Sequence, residues 1–113
     1  MINIGILAST KATDMQAIID AIEAKKLNAR ISVLISNKED SYALVRAKNH
    51  NIDAVFIDSK NKEREEFDKE INSVLKKNNV DLIILIGYMR WLSEWFVKEW
   101  KNKIINIHPS LLP

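Results

Sequence analysis

An amide and an imidazole stand two positions apart near the end of the chain, at Asn106 and His108, following the apolar pair Ile104-Ile105. On a β-strand, side chains at i and i+2 point to the same face, so the two groups would lie side by side where the strand runs out. Pro109 cannot donate to a sheet ladder and stiffens the exit, and Pro113 repeats that restraint. An amide donor beside a ring that titrates near neutrality is suited to holding and protonating a developing oxyanion. Taken alone, His108 also fits a strand-end histidine satisfied by its neighbours.

The elements that would position this pair can be read from the periodicity. Residues 2–8 form a short apolar run closed by Ser9-Thr10-Lys11-Ala12-Thr13, which reads as a buried strand and a loop. From Asp14 the pattern turns helical, with Met15, Ile18, Ile19 and Ile22 on one face and Thr13 or Asp14 as the natural N-cap. A second strand over 31–35 ends in Ser36-Asn37-Lys38, and a helix over 41–49 follows, with Asn51 supplying a left-handed stop. Residues 54–57 are a third strand. A charged helix over 62–78 carries the stripe Phe67, Ile71, Val74 and Leu75, its Glu and Lys forming a solvated face. Residues 82–86, nearly all branched aliphatics, read as a strand buried on both faces. Gly87-Tyr88-Met89-Arg90 is the next loop, Ser93 caps a short helix, and 104–107 is the fifth strand. Strand and helix alternate with short loops, which is the pattern of a parallel α/β sheet with right-handed crossovers. That pattern leaves the strand order open.

Asn106-Ile107-His108-Pro109-Ser110-Leu111-Leu112-Pro113 resembles the signature of the folate-dependent formyltransferases, nearest to the members that formylate glycinamide ribonucleotide. Gly87-Tyr88-Met89-Arg90-Trp91-Leu92-Ser93 resembles the same family's Gly-Phe-Met-Arg-Ile-Leu-Ser. The resemblance implies a Rossmann-like open parallel sheet of order 3-2-1-4-5 with helices on both faces, residues 1–113 forming the N-terminal half of the family's domain and lacking its C-terminal part. It implies formyl transfer from 10-formyltetrahydrofolate to an amine, with Asn106 and His108 catalytic and no metal. Met89, Arg90, Trp91 and Leu92 would hold the pterin, and Arg64 would serve the folate side through its guanidinium. In a Glu/Lys-rich helix start such an arginine also reads as simply solvated. With that strand order, ligands should bind beyond the carboxyl ends of strands one, four and five, where the order reverses.

Two departures stand out. Lys11, Ala12, Thr13 and Asp14 occupy the position of a glycine-containing phosphate loop at a helix start. Alanine resists positive φ where glycine would not, and Asp14 puts a carboxylate where an anion belongs. Lys11 and the hydroxyls of Thr10 and Thr13 could compensate; a capped helix start without phosphate is the other reading. Trp91 replaces a smaller aliphatic. Three tryptophans within ten residues more often mean packing than stacking on a ligand, so Trp95 and Trp100 are expected in the core or under cover. His50 reads as a helix-end surface residue.

Composition excludes several classes. A formal net charge of +2 with 28% charged residues of both signs is no nucleic-acid or membrane footprint. The chain has no cysteine, which rules out a disulfide scaffold and thiolate metal sites. No apolar run approaches the roughly 18 residues a bilayer span needs. No signal peptide is evident, and a cytoplasmic location is expected. Small molecules are the expected partners. The family's aspartate beside the histidine belongs to a later half of the fold, so these 113 residues alone are expected to be nearly inactive. They are also expected to self-associate through an exposed fifth strand or to need a complementary C-terminal half. A non-catalytic truncated relative or nucleotide-binding module, and another folate enzyme such as a methionyl-tRNA formyltransferase, remain as alternatives.

Overall fold

The computed structural model describes residues 1–107. His108 and residues 109–113 lie outside the described residues. The elements alternate as β1 (Ile2–Ala8), α1 (Met15–Glu23), β2 (Ala29–Ser36), α2 (Tyr42–Asn49), β3 (Ala54–Phe56), α3 (Arg64–Lys77), β4 (Leu82–Ile86), α4 (Glu94–Glu99) and β5 (Ile104–Ile107). All strand pairs are parallel and the order is β3-β2-β1-β4-β5, as the resemblance implied.

The sheet is buried on both faces because its central strands are apolar at most positions, and their two-residue period divides those side chains between two cores. Ile4, Ile6 and Ala8 of β1, with Ile84 and Ile86 of β4, meet Met15 and Ile19 of α1 and Ala43 and Ala47 of α2. On the opposite face Leu7, Ile83 and Leu85 meet Phe67, Ile71 and Leu75 of α3 and Phe96 and Trp100 of α4. Strand β2 breaks strict alternation. Ile4 pairs with Ile31 but Gly5 pairs with Val33, so Ser32 is the extra residue of a bulge and its hydroxyl donates to Ile4 O at 3.4 Å. The bulge brings both Ile31 and Leu34 to the α1/α2 side.

Helix ends follow local chemistry. Ser41 caps α2 by accepting from Ala43 N at 3.2 Å, and Ser93 caps α4 by accepting from Phe96 N at 3.1 Å. Left-handed residues stop all four helices: Lys25 (φ 60°), Asn51 (φ 59°), Asn79 (φ 55°) and Asn102 (φ 63°). Asparagine tolerates that region better than most side chains, which is why the stop at Asn51 could be anticipated. Asp14 corrects an expectation. It occupies the N-cap of α1, but its backbone is already helical (φ −69°, ψ −15°) and its side chain makes no capping bond. Met15 N and Gln16 N instead donate to Ala12 O and Thr13 O at 3.0 and 3.2 Å. Trp100 is buried and its Nε1 donates to Asn72 Oδ1 at 2.9 Å, while Trp95 is half-buried against the same core.

Candidate active site

The sheet order reverses between β1 and β4, and the loops that leave their carboxyl ends lie together there. The first, residues 9–14, is braced from behind by α2. Thr10 O accepts from the Ser41 hydroxyl and from Ala43 N, and Lys11 O accepts from Arg46 Nε at 3.1 Å. Ala12 is held at φ 52° with its methyl buried. An alanine therefore adopts the left-handed conformation that glycine would adopt more readily. Among the described residues, the backbone N–H groups of Lys11, Ala12, Thr13 and Asp14 have no protein acceptor. Several unpaired N–H groups at the start of a helix form a cradle for an anion.

The second loop follows β4. Gly87 takes φ +57°, and a Cβ there would stand 2.6 Å from Thr10 Oγ1, so the glycine lets the two loops close on each other. Ser9 N donates to Gly87 O at 3.2 Å, and Met89 N donates to Ser9 Oγ at 2.8 Å. The far end of the loop is fixed by the buried Asp68 of α3, whose Oδ2 accepts from Ser93 N at 2.7 Å. Between these anchors Tyr88 turns inward, Arg90 lies with Cζ 4.6 Å from the Phe67 ring centroid, and Met89 and Trp91 face outward, 69% and 82% exposed. Burial pushes the Tyr88 phenol well above the ordinary tyrosine range, the Asp68 carboxylate adds to that push, and Arg90 opposes it. Tyr88 OH and Arg90 Nε are both buried without a hydrogen-bond partner among the described residues.

Asn106 completes the site from β5, opposite Leu85 in the ladder. A cavity of about 320 Å³ is lined by Leu85, Tyr88, Met89, Arg90, Trp91 and Asn106. Asn106 and three of the four residues expected to hold a pterin thus share one wall system. Leu92, the fourth, packs half-buried against the α3/α4 core instead of lining the cavity. Arg64 is exposed at the first turn of α3, three residues before Phe67, and lies off the cavity lining. A larger depression of about 600 Å³ opens at the ends of β2 and β3, lined by Asn37, Lys38, Glu39, Asp40, Phe56, Asp58, Ser59 and Lys60. It holds none of the candidate residues, and its facing charges of both signs converge on no single chemistry. The smaller cavity, beside β4 and β5, holds the candidate residues and is the better candidate.

Several contributors were not legible in advance. Ser9, Asn37, Ser41 and Arg46 hold the loops, and Asp68 anchors one from inside a helix stripe. Ser9 and Asn37 gave only a faint signal, each the polar residue just beyond a buried strand.

The formyl transferase family model matches residues 2–113. The chain is 45% identical over 114 residues to phosphoribosylglycinamide formyltransferase of Haemophilus influenzae, covering 100% of this chain and 54% of that protein. It is 40% identical over 111 residues to the human trifunctional purine biosynthetic protein adenosine-3, covering 97% of this chain and 11% of that protein. The structure of glycinamide ribonucleotide transformylase 1 from Symbiobacterium toebii superposes with a TM-score of 0.92 at 39% identity, over 100% of this chain and 54% of that one. The chain spans about half the length of the single-function relatives it matches. Matched along nearly its whole length, and laid out in the same fold with Asn106 lining the cavity beside β4 and β5, the chain belongs to the formyl transferase family.

Proposed function

We propose that this chain supplies the site at which a formyl group passes from 10-formyltetrahydrofolate to the primary amine of glycinamide ribonucleotide in purine synthesis. The observation that carries this reading is the shared cavity. Asn106 opens onto the space bounded by Tyr88, Met89, Arg90 and Trp91, and the loop carrying Met89 is tied through the Ser9 hydroxyl to the loop at α1 whose N–H groups are unpaired among the described residues. The cavity suits a planar, polar ring system. It has an apolar floor at Leu85, an exposed indole at its rim, and polar side chains in its lining at Tyr88, Arg90 and Asn106.

In this reading the nucleotide's phosphate rests on the N–H groups of residues 11–14, and Lys11 adds charge. Its amine attacks the formyl carbon and the carbonyl π pair moves onto oxygen. The Asn106 side-chain amide donates to that oxygen as charge accumulates. The amine proton is relayed through His108 to the folate nitrogen, whose bond to the formyl carbon breaks, leaving formylated nucleotide and tetrahydrofolate. No covalent bond to the protein forms. An imidazole of ordinary pKa, about 6.5, can both accept and return a proton near neutrality. The 113 residues taken by themselves are expected to turn over slowly, because the carboxylate that the family sets beside this histidine is not among them. Losing such a carboxylate lowers a rate by about 10⁴ in the serine-protease triad.

One observation favours a second reading. Asp14 makes no capping bond, so its carboxylate stands uncommitted at the rim of the anion cradle and would repel a phosphate. A non-catalytic relative that seats no phosphate on this loop would tolerate this. Formyl transfer in the full-length protein, measured with Asn106→Ala beside wild type, separates the two. Formyl transfer predicts a kcat lower by about 10²–10³ in the variant. No formyl transfer in the wild type would overturn it.

A further inference from the structure

The loops after β1, β2 and β4 meet at one buried hydroxyl. Ser9 is 6% exposed, and its Oγ donates to Asn37 Oδ1 at 2.6 Å while accepting from Met89 N at 2.8 Å. The Ser9 backbone N–H donates to Gly87 O at 3.2 Å, so the serine grips the β4 loop at two points. A serine hydroxyl has one proton to give and lone pairs to receive. Asn37, itself 6% exposed, takes the proton and leaves a lone pair aimed at Met89. Met89 is the residue that carries the β4 loop from the strand end into the cavity wall opposite Asn106. The neighbouring Gly87, at φ +57°, is the natural pivot if that grip is released.

We infer that Ser9 is a positioning residue for the formyl donor: Asn37 orients its hydroxyl, the hydroxyl holds the Met89 N–H, and the donor-side wall is thereby set against Asn106. The inference rests on the formyl-transfer reading for the identity of the ligand, but its geometry does not. Removing the hydroxyl leaves the buried Asn37 Oδ1 and the part-buried Met89 N–H without partners, and both are satisfied most readily if the loop moves toward solvent. The cradle at 11–14 keeps its own bracing from Ser41, Ala43 and Arg46. The effect should therefore fall on one ligand and spare the other.

The test uses the full-length protein as wild type, Ser9→Ala, Ser9→Thr and Asn37→Ala. Two dissociation constants are measured by calorimetry, for a non-hydrolysable 10-formyl folate analogue and for glycinamide ribonucleotide, together with amide exchange at Met89. In Ser9→Ala the analogue should bind about tenfold more weakly, the nucleotide within about twofold of wild type, and Met89 should exchange at least about tenfold faster. Ser9→Thr keeps the hydroxyl and should recover most of the affinity. If Ser9→Ala does not fold, Asn37→Ala carries the same test, with a loss of about threefold for the analogue alone. Equal loss of both ligands, or unchanged analogue affinity in a folded variant, overturns the inference. A wild-type protein that does not bind the analogue overturns the functional reading. Met89 exchange then decides separately: faster exchange in Ser9→Ala keeps the tether, and unchanged exchange removes it.

Discussion

Gly87→Ala is the substitution whose effect the geometry constrains most tightly. The residue sits at φ +57°, a region that costs an L-residue about 1–2 kcal/mol relative to glycine. The added Cβ would lie 2.6 Å from Thr10 Oγ1, so Thr10 must turn or the two loops must part, and overpacking of this kind costs about 1–3 kcal/mol. Against these, alanine restricts the unfolded chain and returns about 0.4–1 kcal/mol. The net expectation is a destabilisation of about 3 kcal/mol, a large fraction of the 5–15 kcal/mol typical of a domain. Urea unfolding followed by tryptophan fluorescence should show a lower midpoint with an unchanged slope, because the surface exposed on unfolding is the same. The two contributions can be separated. Thr10 is exposed and its hydroxyl makes no bond among the described residues, so Thr10→Ala alone should be nearly silent. In the double variant the steric part disappears and about 1–2 kcal/mol of backbone strain remains. A Gly87→Ala protein within about 0.5 kcal/mol of wild type would refute the close approach of the two loops.

Other perturbations give opposite signs. Tyr88→Phe removes a buried hydroxyl that has no partner among the described residues, so it should leave stability unchanged or raise it by up to about 1 kcal/mol at neutral pH, read from thermal unfolding. The same phenol sets a pH limit. Its folded pKa is raised above the unfolded value of about 10, so its protonated form is favoured by folding. Stability from this group is complete below pH 10 and falls as pH rises beyond it, and Tyr88→Phe should abolish that fall in alkaline unfolding curves. Asp68→Ala strands Ser93 N–H at the start of α4 and should cost about 2 kcal/mol, whereas an exposed carboxylate such as Glu65 replaced by alanine should cost under about 0.5 kcal/mol in the same assay.

How much could be read in advance depended on the range of the interaction that decides each feature. Strands β4 and β5 were legible to the residue because their branched aliphatics are bounded by Asp81 and Gly87 at the two ends of β4 and by Asn102-Lys103 before β5. The Ser93 cap and the Asn51 stop were legible because a side chain and its own neighbouring backbone determine them. The spacing of Asn106, and the loop 87–91, pointed to one cavity once the strand order was supplied by resemblance rather than by pattern. What escaped was set by non-local register. The Ser32 bulge exists only because β1 pairs with β2 at a particular offset. Ser9 acquires its partners only when three loops are stacked side by side. Asp68 lies outside the apolar stripe of α3, yet it is 1% exposed because α4 packs against α3 there and presents Ser93 N–H. Asp14 failed as a cap for the opposite reason. The left-handed Ala12 before it lets the backbone close the first turn, so no capping side chain is needed.

The most direct measurement is an amide-shift titration of the isotopically labelled protein with a non-hydrolysable 10-formyl folate analogue. Saturable shifts confined to Met89, Arg90, Trp91 and Asn106, the lining of the 320 Å³ cavity, are the predicted result. No saturable shift, or shifts centred on Asn37, Phe56 and Lys60 in the larger depression, would contradict the placement of the formyl donor beside Asn106.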